Sequence, residues 1–123
     1  ALILSVEDLA VAAGDGDAQA AVQRWAARVP YVALTDGSRG AMLWADGVPQ
    51  HISAFPVAEV DPTGAGDCFA TALLVALHQG QAAAEAVRYA HAAASFVVQA
   101  PGTAGIPTAA QIAARLRAMG DGD

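Results

Sequence analysis

Apolar and polar positions along the chain follow two periods. Short continuous apolar runs dominate the first half, and helical stripes dominate the second. Leu2-Ile3-Leu4-Ser5 has the length and character of a buried strand. Val6 to Ala13 reads as a short helix, with Ser5 as N-cap and Glu7 and Asp8 in the favourable first turn. Asp17 caps a second helix that carries Val22, Trp25, Ala26 and Val29 on one face, and Pro30 stops it. Tyr31 to Thr35 is a strand, 36–40 a turn, and Ala41 to Ala45 a second strand. Asp46-Gly47 is a hairpin signal, and His51 to Phe55 is the strand expected after it. Phe69, Leu73 and Leu77 recur at i, i+4 and i+8, which predicts a helix from near Ala65 to near Gly80. A further helix runs from about Ala82 to Val98, with Val87, Ala90, Ala94 and Val97 on its stripe, and Pro101-Gly102 breaks it. Thr108 caps a last helix with Ile112, Leu116 and Met119 inward, and the tail 120–123 is expected to fray.

Strands alternating with helices, then helices alone, predict an α/β layered fold with a partly parallel sheet. Ligands in such folds sit at the carboxyl ends of strands. The two Gly-rich turns, 36–40 and 61–67, are expected there. The length of 123 residues is enough for one domain with a real core.

Composition narrows the class. Hydrophobic content is 55%, much of it alanine, yet no apolar run approaches the roughly 20 residues that span a bilayer. Leu2-Ile3-Leu4 is too short for a leader and lacks a basic flank, so a cytoplasmic location is expected, with no membrane partner. Net charge is −6 and all six basic residues are scattered arginines, which argues against a nucleic-acid partner. The single cysteine, Cys68, excludes an internal disulfide and a cysteine zinc site.

The chemistry concentrates in Asp61-Pro62-Thr63-Gly64-Ala65-Gly66-Asp67-Cys68-Phe69. A Gly-rich turn feeding a helix presents unpaired N–H groups and the positive end of the macrodipole, an anion site. Asp67 stands in its first turn, where a carboxylate reaches whatever those groups hold. Anion site and carboxylate together suggest phosphoryl transfer to a hydroxyl. The plainer reading of Asp67 alone is a helix-stabilising first-turn acid. Gly64, Ala65 and Gly66 tip the balance, because small residues permit close approach of a phosphate and unusual φ.

The stretch 61–69 resembles the C-terminal signature D-T-x-G-A-G-D-x-F of the ribokinase-like (PfkB) carbohydrate kinases, with Pro62 in place of the commoner Thr. The resemblance implies a ribokinase-like layered α/β/α fold, of which this chain is the C-terminal, nucleotide-binding part only, spanning 1–123. The N-terminal sugar-binding half and lid are absent, and with them the usual homodimer contact. It implies transfer of the γ-phosphoryl of ATP, with Mg²⁺, to a hydroxyl of a sugar, sugar-like or nucleoside acceptor. The alternative is a non-catalytic nucleotide- or phosphate-binding module of the same fold.

By the same resemblance, Asp67 is the catalytic base and Gly64, Ala65 and Gly66 form the anion hole. Thr35-Asp36-Gly37-Ser38-Arg39-Gly40 is similar to the family's T-x-G-x-x-G segment, so Thr35, Gly37 and Gly40 line the nucleotide site. His91 matches a position beside the adenine, against the plainer reading of a packed helical histidine. Ser5 and Asp8 stand where N-x-x-E is usual, which makes Asp8 an indirect, water-mediated Mg²⁺ ligand; helix capping explains the pair equally well. Asp61, with backbone oxygens near Thr63 and Gly102, resembles the K⁺ loop of the family.

Overall fold

The computed structural model describes residues 1–14, 16–101 and 104–119. Four strands form one mixed sheet in chain order: β1 (Leu2–Ser5), β2 (Tyr31–Thr35), β3 (Ala41–Ala45) and β4 (Val48–Ile52). β1 and β2 run parallel, joined by a crossover through α1 (Val6–Ala13) and α2 (Ala18–Ala26); β2, β3 and β4 are antiparallel. Three helices follow: α3 (Ala65–His78), α4 (Ala83–Val98) and α5 (Ala109–Met119). The expected α/β fold with a partly parallel sheet is what forms.

The strand period of two sorts side chains between the two faces of the sheet. Val32 and Trp44, opposite each other in the register, face α1 and α2 and pack with Leu9, Ala21 and Val22. Ala33 and Leu43, the next pair, face α3 and α4 and pack with Phe69, Leu73, Val87 and Ala90. A third cluster joins Phe55 to Ala92, Ala93 and Ile112, so α5 is held against α4 on the far side from the sheet. Arg115 strengthens that seam: its guanidinium donates to Ser95 Oγ at 2.8 Å and Gln99 Oε1 at 2.7 Å, and lies 3.7 Å from the centre of the Phe96 ring.

The caps anticipated from sequence are present. Asp8 N–H donates to Ser5 Oγ at 3.1 Å while Ser5 N–H donates to Asp8 Oδ2 at 3.4 Å, a reciprocal capping box. Thr108 and Gln111 form a second one ahead of α5, at 2.8 and 3.2 Å. Asp17 caps α2 through the Gln19 N–H at 3.0 Å.

The last strand differs from expectation. It starts at Val48, not His51, and ends at Ile52. Asp46 and Gly47 both have positive φ, 50° and 82°, as a two-residue primed turn requires. Such a turn leaves no slack, so Val48 pairs at once with Ala45. Pro49 lacks an N–H and fits because β4 is the sheet edge. Phe55 lies beyond the strand and serves the third core cluster instead. The Gly102 backbone oxygen and the tail 120–123 lie outside the described residues, as does the Met119 side chain.

Candidate active site

The register aligns Ser5, Thr35, Ala41 and Ile52 in one row across the sheet. The carboxyl ends of β1, β2 and β4 therefore share one end of it. The turn 36–40 leaves from this end, as expected. The loop 61–67 does not leave directly from a strand; residues 53–60 carry the chain from β4 to it without strand pairing. The loop is anchored on the C-terminal end of α4, where the Val98 carbonyl accepts from both Val60 N–H (2.6 Å) and Asp61 N–H (3.0 Å).

Asp61 organises the turn that follows. Its Oδ1 accepts from Thr63 N–H at 3.0 Å and from Thr63 Oγ1 at 2.7 Å. Gly64 is the N-cap of α3 in the left-handed conformation, φ 82° and ψ −5°. This position needs glycine, because an L side chain there is strained. Gly66 behaves differently from expectation. It has no left-handed φ, and a Cβ added to it would find no heavy atom within 4 Å. The unusual backbone belongs to Gly64 alone.

The N–H groups can be assigned one by one. Ala65 N–H donates to Pro62 O at 3.1 Å and Cys68 N–H to Gly64 O at 3.0 Å. Ala65 is thus engaged within the turn, and its N–H is not available as an anion donor. Among the described residues no acceptor pairs with the N–H groups of Gly64, Gly66 or Asp67. Those of Gly66 and Asp67 fall in the first helical turn, where the carbonyls four residues back, on Pro62 and Thr63, lie ahead of the helix and do not accept from them. Asp67 is exposed beside them. It opens, with Thr63, Gly64 and Cys68, onto a groove of about 530 Å³ between α3 and α4 whose far wall includes Tyr89 and Ile106. Burial pushes the Cys68 thiol pKa up, which suits a half-buried apolar neighbour and not a nucleophile.

At the sheet end, Thr35 Oγ1 donates to Leu4 O at 3.5 Å and ties β2 to β1. Asp36 N–H donates to Gly40 O at 2.8 Å, closing the turn around a short 3-10 segment, Gly37–Arg39. Gly37 has φ 53° with open space beside it, whereas Gly40 has φ 98° and no room at all. A Cβ on Gly40 would come within 2.4 Å of Ile52 O. Arg39 is a solvated turn residue: its ion pair with Asp36 is 3.8 Å long with both side chains exposed.

His51, exposed on β4, binds the Arg39 carbonyl through Nε2 at 2.8 Å and fastens β4 to this turn. His91 is buried at 6% exposure, with Nε2 3.1 Å from Ile52 O and its ring 5.0 Å from that of Phe69. Burial lowers its pKa to about 4, so it is neutral at pH 7 and Nε2–H donates to the carbonyl. Among the described residues no three His, Cys, Asp or Glu side chains gather as a metal site. Asp8 is already accounted for by its cap. No helix among the described residues is long and apolar enough to cross a membrane.

The fold is that of known proteins. Residues 2–109 match the model of the pfkB family of carbohydrate kinases. A ribokinase of Bacillus subtilis strain 168 is 42% identical over 76 residues, covering 61% of this chain and 26% of that protein. The crystal structure of a Thermotoga maritima ribokinase superposes with a TM-score of 0.85 at 29% identity, covering 94% of this chain and 41% of that one. A ribokinase II candidate from E. coli, solved in complex with ATP and Mg²⁺, gives a TM-score of 0.85 at 27% identity, with 94% and 38% covered. The chain belongs to the pfkB family of carbohydrate kinases. It spans about a quarter or less of the length of the curated relatives it matches and about two fifths of the solved ones.

Proposed function

We propose that this chain is the C-terminal, phosphoryl-donor part of a kinase that moves the γ-phosphoryl of ATP to a hydroxyl of a sugar or sugar-like acceptor. One observation carries the reading. Gly66 is a helix residue whose backbone conformation and surroundings do not require glycine, set beside two unpaired N–H groups and an exposed carboxylate. A missing side chain that the fold does not need leaves room for a ligand to approach the backbone.

The geometry supports the following roles. The N–H groups of Gly66 and Asp67 face charge that develops on the equatorial oxygens of the transferring group, and they are fixed before it arrives. Asp67 orients the acceptor hydroxyl and takes its proton as the new bond to phosphorus forms. Gly64 supplies the left-handed turn that aims the helix start, and Ala65 holds that turn closed through Pro62. Thr35, Gly37 and Gly40 shape the nucleotide side at the sheet end. Mg²⁺ entering with the nucleotide would neutralise phosphate charge. It would be held chiefly by phosphate and water, as its coordination habits favour, with Asp8 at most a water-mediated neighbour. A K⁺ ion would be held by backbone oxygens at the Asp61–Thr63 turn, whose carboxylate oxygen is spent on capping that turn.

The test is an ADP-release assay on the intact protein that contains this chain, across a panel of sugars. Asp67→Asn should lower turnover by about 100-fold or more, with the KM for ATP nearly unchanged. Near-normal turnover in the variant would remove Asp67 from the chemistry.

A further inference from the structure

His91 and Ser95 are the buried polar side chains among the described residues. Ser95 is explained by its own helix and by Arg115: its Oγ donates to Ala92 O at 2.6 Å and accepts from the guanidinium. His91 reaches outward, to a carbonyl 39 residues away in sequence. A buried imidazole costs stability unless it is hydrogen-bonded, and its single donor goes to Ile52 O.

That carbonyl is fixed from two sides. His91 approaches it from α4, and Gly40 lies so close that a Cβ would strike it at 2.4 Å. Ile52 also pairs with Ala41, the residue after Gly40. The turn 35–40 is therefore seated on the group that His91 holds. The same ring meets Phe69 at 5.0 Å with a tilt of 57°. Phe69 is buried, two residues after Asp67 on α3. His91 sits half a turn round α4 from Tyr89 and Ala93, which line the groove, so it faces the sheet and not the groove.

We propose that His91 is a positioning residue: its imidazole, between the Ile52 carbonyl and the Phe69 ring, sets the turn 35–40 against the helix start that carries Gly66 and Asp67. The inference rests on the phosphoryl-transfer reading and gives His91 a place inside the protein in place of contact with the base. One ring spans the distance between the two halves of the donor site. A donor misplaced by about an ångström can cost roughly 100-fold in rate.

The test compares His91→Phe, which keeps a ring against Phe69 and removes the donor, with His91→Gln, which returns an N–H donor near the Nε2 position. Both are made in the intact protein and assayed well below their melting temperatures. The measurements are kcat, the KM for ATP and for GTP, and amide hydrogen exchange of 35–40 and 64–67 without nucleotide. His91→Phe should lower kcat/KM for ATP about tenfold or more, and both segments should exchange faster. His91→Gln should recover most of both, and the ratio of KM values for ATP and GTP should not move.

Wild-type kinetics and exchange in folded His91→Phe would overturn the proposal. So would a changed ATP-to-GTP ratio with unchanged exchange, which means direct contact with the base. If His91→Phe does not fold, Phe69→Leu takes its place: faster exchange at 35–40 supports the link through His91, and unchanged exchange there overturns it. Failure of the kinase reading itself is separable. If the wild-type protein transfers no phosphoryl group to any sugar, the exchange data still decide whether His91 couples the two segments.

Discussion

Replacing Gly66 by alanine separates what the fold needs from what the chemistry needs. Glycine is among the poorest helix formers, up to about 1 kcal/mol below alanine in a helix interior. Gly66 lies in the first turn of α3 without a left-handed φ, and an added Cβ meets no heavy atom within 4 Å. Gly66→Ala should therefore stabilise the protein by about 0.5–1 kcal/mol, through helix propensity and a less flexible unfolded chain. For a chain of this size that corresponds to a rise in Tm of roughly 2–5 °C. The same methyl would stand where a phosphoryl oxygen must come within hydrogen-bond reach of the Gly66 and Asp67 N–H groups. Loss of one such donor typically costs about 10²–10³-fold in turnover. A thermal melt followed by circular dichroism, run beside ADP release from the intact protein, gives both numbers. A more stable but crippled enzyme is the expected result. A variant that is both stabilised and fully active would refute the assignment of Gly66 to ligand approach, and a destabilised one would refute the geometry of the junction.

Three further outcomes are expected. Gly40→Ala should destabilise by about 3 kcal/mol or more, or prevent folding, because left-handed strain adds to a collision with backbone at Ile52 O; a chemical denaturation curve unchanged from wild type would contradict this. Stability should fall as the pH drops from about 6.5 to about 4, by up to about 3 kcal/mol, because in that window the unfolded chain protonates His91 and the folded one keeps it neutral. Urea melts across the window should show this slope in the wild type and its loss in His91→Phe. The 123-residue chain alone should bind adenine nucleotide weakly and release no ADP in response to sugars, since transfer needs acceptor and donor held together with water excluded; robust sugar-dependent release would show that the acceptor site lies within it.

The sequence alone was enough for the order of elements, the α/β class and the position of the Gly64–Asp67 junction. These are local matters. Period-two and helical stripes reflect which face is buried, caps such as Ser5–Asp8 and Thr108–Gln111 act over three residues, and a Gly-rich turn into a helix carries its anion-binding character wherever it is placed. Even there, locality misled once: the strand after Asp46-Gly47 was expected too late, because the primed turn, and not the apolar content of 51–55, sets where pairing resumes.

What only the tertiary structure decided depends on residues far apart in the chain. No local pattern tells which glycine is strained and which is simply empty, since that turns on φ at Gly64 and on the space around Gly66. The engagement of the Ala65 N–H by Pro62, the anchoring of the loop on Val98 O, and the role of His51 against Arg39 O appear only when the elements are packed. His91 is the clearest case. A helical histidine carries no signal of its partner, and its link to Ile52 and Phe69 exists because α3 and α4 pack on one face of the sheet and bring one imidazole between the end of a strand and the start of a helix.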